Sequence, residues 1–200
     1  SPYAASKAAA DHLVSAWGET YGLPVSIVHC SNNYGPHQFP EKFIPNLILS
    51  ALADRPLTVY GDGSHRRDWL FVDDACDAID AVLSRGRPGR HYCVGGLSER
   101  RNIDVAEAIA DILDGCAPMA SGKSYRDMIS FVADRPGHDR RYATDIARIS
   151  TELGWRPARD FEAGLRETVD WYLKNEAWWR PLLGNGDATR RRGLERRDDR

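Results

Sequence analysis

Short β-branched runs alternate with amphipathic stretches along the whole of this 200-residue chain, and that alternation restricts its fold more than any other feature. Strand–helix–strand order calls for an α/β fold, in which crossover helices connect strands that run parallel. Pro24–Cys30 (PVSIVHC), Leu57–Tyr60, Arg67–Phe71, His91–Val94 and Ile129–Val132 read as strands. Ser1 is placed to cap a helix that Pro2 opens and Gly22 stops, with Leu13, Val14, Trp17 and Tyr21 along one face. Further helices are predicted over Glu41–Ala53, Val72–Ser84 and Ile103–Leu113. Another is capped by Asp145 and ends at Leu153 before Gly154, and a last helix covers Phe161–Leu173. Asp73 and Asp74 suit the positive end of a helix dipole. Ser31–Pro40 reads as a polar loop, and Gly61-Asp62-Gly63 and Gly95-Gly96 read as turns.

Composition excludes several classes of function. An apolar share of 42% supports a real core, and no apolar run approaches the length of a membrane span. The 27 basic residues nearly balance the 29 acidic ones, which argues against a general nucleic-acid binder. Cys30, Cys76, Cys93 and Cys116 form no CxxC and have no paired-histidine spacing. They read as small core residues of a reducing, cytoplasmic compartment, and no metal site is expected. From about Leu183 the chain is rich in arginine (Arg190–Arg192, Arg196, Arg197) and reads as a solvated tail over 183–200; a nucleic-acid arm is the alternative. The opening Ser1-Pro2-Tyr3 is neither a signal sequence nor a starting methionine, so the chain is expected to begin within a longer protein.

Chemistry gathers first at Tyr3-Ala4-Ala5-Ser6-Lys7. On a helix, residues four apart share a face, so the Lys7 ammonium lies near the Tyr3 phenol. A neighbouring cation favours the phenolate, and a phenol so tuned can take a proton from a sugar hydroxyl near neutral pH. A chance Tyr–Lys pair is the plain alternative. The pair is followed by about twenty helical residues, a strand ending at Cys30 and then Ser31-Asn32-Asn33-Tyr34-Gly35-Pro36. In that order these segments resemble the extended short-chain dehydrogenase/reductase superfamily, as does Arg67-Asp68-Trp69-Leu70-Phe71-Val72-Asp73-Asp74. An arginine fork suits a diphosphate, and Arg66, on the opposite strand face, is expected to meet solvent.

Phe39–Pro45 (FPEKFIP) and Asp134–Ala143 (DRPGHDRRYA) narrow this resemblance to the dTDP-glucose 4,6-dehydratase family of NAD-dependent epimerases and dehydratases. The resemblance runs from Ser1 to about Arg180. It implies the end of a doubly wound parallel-sheet (Rossmann) domain over 1–36 and, mainly, a smaller α/β nucleotide-sugar domain over 37–182, with some segments returning to the Rossmann sheet. It further implies that Tyr3 and Lys7 are catalytic and, with Asn33, touch NAD. Asn32, Lys42, Phe43, Thr58, Val59, Tyr60, Arg67, Asn102 and the segment Asp134, Arg135, Pro136, Gly137, His138 would bind the nucleotide-sugar. For several of these, plainer structural roles exist: an Asx turn at Asn32-Asn33, a strand-end aromatic at Tyr60, a solvated charge run at 134–141.

The implied reaction converts dTDP-glucose to dTDP-4-keto-6-deoxy-glucose and water, in a cytoplasmic homodimer with no nucleic-acid or membrane partner. The family's glycine-rich dinucleotide loop and its eliminating Asp and Glu have no counterpart here and are expected upstream, so the chain alone is expected to be inactive. A 4-epimerase or UDP-sugar dehydratase of the same superfamily, or a non-catalytic nucleotide-sugar-binding remnant, are the alternatives.

Overall fold

The computed structural model describes residues 1–183. In chain order the elements are α1 (Pro2–Tyr21), β1 (Ile27–Cys30), β2 (Asn32–Tyr34), α2 (Phe43–Leu52), β3 (Leu57–Tyr60), β4 (Arg66–Phe71), α3 (Val72–Arg85) and β5 (His91–Val94). There follow β6 (Glu99–Arg101), α4 (Asn102–Cys116), a 3-10 turn (Tyr125–Met128), β7 (Ile129–Val132), β8 (Arg141–Tyr142), α5 (Ala147–Leu153), α6 (Phe161–Lys174) and α7 (Glu176–Leu183). The chain divides into two interleaved units. One takes Ser1–Asn33, Ser64–Arg101 and Asp134–Phe161; the other takes Tyr34–Gly63, Asn102–Ala133 and the chain from Glu162.

In the first unit β1 and β5 run parallel, with Ile27 opposite His91 and Cys30 opposite Val94. β4 pairs antiparallel with β6 and parallel with β8. Leu70, Ala75, Ala78, Val82, Tyr92, Val94, Ile146, Ile149 and Trp155 form the core, which α3 and α5 close. Helix ends follow local chemistry. The Ser1 hydroxyl accepts the Ala4 N–H at 3.2 Å, Gly22 ends α1 in the left-handed region, and an Asp145 carboxylate oxygen accepts the Ala147 N–H at 2.8 Å. In the second unit β3 and β7 pair in parallel, with Leu57 opposite Ile129 and Tyr60 opposite Val132. Ile44, Leu47 and Ile48 of α2, Val105, Ile109 and Leu113 of α4, and Leu165, Val169 and Tyr172 of α6 are buried there.

The alternation therefore reads through to parallel α/β pairing, but four expectations need correction. Asn32–Tyr34 lies within the predicted polar loop yet forms β2, because its backbone joins the β4 sheet despite a low strand propensity. Phe161–Leu173 is not the last helix: α7 follows, anchored by the Trp179 indole N–H, which donates to the Tyr172 carbonyl at 2.8 Å. Pro181 stands in its last turn, where only one N–H is lost. Cys76 and Cys116 are exposed rather than in the core, while Cys30 and Cys93 are half-buried; all four are free thiols. Cys76 lies on α3, whose buried positions are Asp74, Ala75, Ala78, Ala81 and Val82, so the helical period turns it outward. The predicted tail lies outside the described residues apart from its first residue, Leu183, which ends α7. The stripe Leu13, Val14, Trp17, Tyr21 is exposed, and α1 buries none of its residues. Among the described residues no helix is long and apolar enough to cross a membrane.

Candidate functional site

The Ser1 cap and Pro2 fix the first turn of α1, and this sets Tyr3 and Lys7 one turn apart on the same face. Both are exposed, Tyr3 at 74%. Gly137, at a φ of 67°, makes the tight bend that Pro136-Gly137 predicts. A Cβ on Gly137 would stand 3.7 Å from the Ser1 Cβ, so the Asp134–His138 turn lies against the opening of α1. The Tyr142 hydroxyl donates to the Cys30 carbonyl at the end of β1, at 3.4 Å. Burial first, then the Cys93, Cys30 and Tyr3 groups around it, push the Tyr142 phenol above its usual value. Tyr3, the 134–138 turn, Tyr142 and the carboxyl end of β1 thus occupy one neighbourhood of the first unit. Ligands of parallel α/β sheets bind at the carboxyl ends of strands, and Asn33 is exposed just beyond that of β1. Tyr3, Lys7 and Asn33 are all exposed.

β4 carries two adjacent arginines to opposite fates, as the strand period requires. Arg66 is exposed and pairs with Glu99 at 3.4 Å, whereas Arg67 is 7% exposed. The Arg67 guanidinium donates to the Arg66 carbonyl and to the Asp139 carbonyl, each at 2.6 Å. Burial pulls this group below its usual value; the Asp139 carboxylate opposes that, Arg135 adds to it and Asp134 again opposes it. A buried cation is thereby held by neutral carbonyls beside a turn that carries Arg135, an arrangement suited to a phosphate. Asp68, next to Arg67 on β4, turns to a different task. Its carboxylate accepts the Gly96 N–H at 3.0 Å and the Ser98 N–H at 2.7 Å, so it fixes the loop that follows β5.

One side chain in this neighbourhood has no signal in the sequence. His65, at the edge of β4, sets its Nε2 3.1 Å from one Asp134 carboxylate oxygen. His138 sets its Nδ1 2.7 Å from the other. The two rings stack with centroids 3.9 Å apart and planes at 19°. His65 and His138 are 73 residues apart in number, so no spacing rule could have joined them. Burial pushes the His138 imidazole below its usual value, against the Asp134 hydrogen bond, and the His138 hydrogen bond holds the Asp134 carboxyl low.

Asn32, half-buried, opens β2 in the first unit, and the remaining candidates belong to the second. Lys42 is exposed, precedes α2 and donates to Glu41 at 2.9 Å; Phe43, half-buried, begins that helix. On β3 the pleat turns Leu57 and Val59 into the core and Thr58 and Tyr60 the other way. Val59 is 0% exposed and lies wholly within the core. Asn102 is 8% exposed and opens α4. A cavity of about 360 Å³ lies beside Gly18, Leu23 and Arg90, and none of the candidate catalytic, cofactor or substrate residues lines it.

A profile of the family described as GDP-mannose 4,6 dehydratase matches residues 1–168. A dTDP-glucose 4,6-dehydratase of Xanthomonas campestris pv. campestris is 58% identical over 183 residues, which are 92% of this chain and 52% of that protein. The crystal structure of a dTDP-glucose 4,6-dehydratase from Bacillus anthracis in complex with NAD superposes with a TM-score of 0.82 at 49% identity, over 91% of this chain and 55% of that one. Another, from Streptomyces venezuelae with NAD and TYD bound, gives 0.83 at 44% identity, over 90% and 53%. The chain spans about half the length of the curated relatives it matches.

Proposed function

We propose that this chain, which belongs to the GDP-mannose 4,6 dehydratase family, serves the NAD-dependent conversion of dTDP-glucose to dTDP-4-keto-6-deoxy-glucose and water. The observation that carries this reading is the buried Arg67 guanidinium, fastened to the Asp139 carbonyl beside the turn that packs on the opening of α1. That cation, read here as the phosphate contact, lies in the same unit as an exposed Tyr–Lys pair. The names of the relatives supply the substrate, and those of the solved neighbours the cofactor.

Tyr3 acts as the base for the sugar 4-hydroxyl, accepting its proton as the carbonyl forms, and Lys7 stabilises the phenolate electrostatically. Tyr3, Lys7 and Asn33 hold the nicotinamide end of NAD, whose chemistry is to accept a hydride and give it back. Arg67 and Lys42 meet the diphosphate, since a fork and an ammonium supply charge-assisted donors. Thr58 and Tyr60, on either side of the buried Val59, frame the thymine, with the Tyr60 ring as a stacking surface. Asn32, Phe43, Asn102 and the 134–138 turn complete the contacts. No residue of this chain is given the removal of the C5 proton or the protonation of the departing 6-hydroxyl. Segment 1–36 and the strands that return to it serve the cofactor, and 37–182 mainly the nucleotide-sugar. The exposed Leu13, Val14, Trp17 and Tyr21 stripe supports a homodimer, the near-zero net charge supports an enzyme without a nucleic-acid partner, and the free cysteines support a reducing, cytoplasmic compartment.

The test is product analysis with the intact protein, dTDP-glucose and NAD. A product lighter by one water supports dehydration. A product of unchanged mass means epimerisation and overturns the reading.

A further inference from the structure

In the second unit, α6 and α7 direct three aromatic side chains at two residues of the loop between β2 and α2. His37 of that loop holds a φ of 62°, a left-handed conformation that a residue with a Cβ rarely adopts and that persists only where its surroundings enforce it. Trp171 and Trp178 supply that enforcement. Their ring centroids lie 4.5 Å and 5.2 Å from the His37 imidazole, tilted at 51° and edge-on at 89°, and 5.1 Å from each other at 73°. Tilted and edge-on arrangements at such distances are the favourable ones for aromatic rings, and here the three close a triangle. The next residue is held too. The buried Tyr172 hydroxyl donates to the Gln38 carbonyl, and burial pushes that phenol up, so it stays a donor. The joint that carries these rings is tied by Asn175, whose side-chain amide donates to the Trp171 carbonyl at 2.8 Å and whose carbonyl accepts the Trp178 N–H at 3.0 Å. Core packing alone does not call for this: His37 is exposed, and Trp171 and Trp178 are only half-buried.

Lys42 stands just beyond this loop. Between it and Gln38, Phe39 and Glu41 are exposed and only Pro40 is buried. The Lys42 N–H donates to the Phe39 carbonyl at 3.1 Å, and the Lys42 carbonyl accepts the Asn46 N–H at 2.8 Å. One tight turn thus joins the clamped loop to the start of α2. The Lys42 ammonium meets Glu41 at 2.9 Å, an exposed pair that holds it weakly, so the backbone turn decides where the ammonium can reach. The geometry points to Trp171, Tyr172 and Trp178 as positioning residues that clamp His37 and Gln38 and thereby fix where the Lys42 ammonium meets the substrate diphosphate. This rests on the reading above that Lys42 contacts that diphosphate.

Hydrogen–deuterium exchange of the intact protein reads the clamp without substrate. His37→Asn keeps a residue that tolerates the left-handed backbone but removes the ring, and Trp178→Leu removes its partner. Each should speed amide exchange across 38–46 about tenfold. Combining them should add little, because both remove the same contact. His37→Phe, which restores a ring, should stay within about threefold of the parent. In His37→Asn the KM for dTDP-glucose should rise roughly fivefold with kcat within about twofold, and in a Lys42→Ala background the same change should leave KM where it is. A general loosening of the fold would raise KM in both backgrounds. Exchange over 38–46 that neither His37→Asn nor Trp178→Leu moves overturns the clamp. An equal KM rise with and without Lys42 overturns its action through that residue. If exchange accelerates but Lys42→Ala alone leaves the affinity for dTDP-glucose unchanged, the clamp on the loop stands and the diphosphate reading of Lys42 is what fails.

Discussion

Arg67 shows how much of a site can depend on where a single side chain ends. Its neighbour Arg66 reaches solvent, while Arg67 turns inward and spends two donors on the carbonyls of Arg66 and Asp139. Hydrogen bonds made by charged groups contribute about 1.5–3 kcal/mol. Arg67→Ala is therefore expected to weaken dTDP binding on the order of 10–100-fold, measured by calorimetric titration; unchanged affinity would remove it from the diphosphate site. His138 carries a pH signature. Its pKa is lowered by burial, so at pH values between the folded and unfolded pKa the unfolded chain holds more protons and stability rises with pH. The lowered Asp134 carboxyl acts with the same sign in a more acidic window, near and below its ordinary pKa. Thermal midpoints should fall as pH drops from 7.5 to 5, and the fall should be smaller in His138→Gln. Equal slopes would mean that His138 does not titrate differently in the two states.

At the scale of elements, β4 organises the first unit. It pairs with β6 and β8, delivers Arg67, and places Asp68 under the loop at 95–98. That loop approaches so closely that a Cβ on Gly96 would lie 1.7 Å from the Trp69 carbonyl oxygen. Gly22, by contrast, has open space and only the strain of a φ of 67°. Gly22→Ala should cost about 1–2 kcal/mol, whereas Gly96→Ala should lower the thermal midpoint far more or prevent folding. Comparable midpoints for the two would contradict the close packing. The same contrast separates what the sequence made legible from what it did not. Where local chemistry decides, as at the Ser1 cap, the Gly22 stop, and strands β3, β5 and β7, the residues announce the element. Asn32–Tyr34 and Glu99–Arg101 became strands only because β4 was available to pair with them. Arg67 was legible as a candidate from its motif, but its Asp139 partner is 72 residues away. His65 had no local signal, since it gains meaning only when the turn at 134–138 folds back on β4.

Across the whole molecule, the chain passes repeatedly between its two units, and each stretch brings a different part of the chemistry. The first holds the Tyr–Lys pair, Arg67 and the Asp134–His138 turn. The second holds Lys42, β3 and Asn102, with Tyr172 buried and its hydroxyl donating to the Gln38 carbonyl. Tyr3 is the one side chain of this chain asked to move a proton in the reaction. General-base catalysis is worth roughly 10²–10⁴ in rate, so Tyr3→Phe in the intact protein should lose about that much kcat while binding dTDP-glucose within twofold of the parent. Turnover that survives the loss of that hydroxyl unchanged would contradict the account.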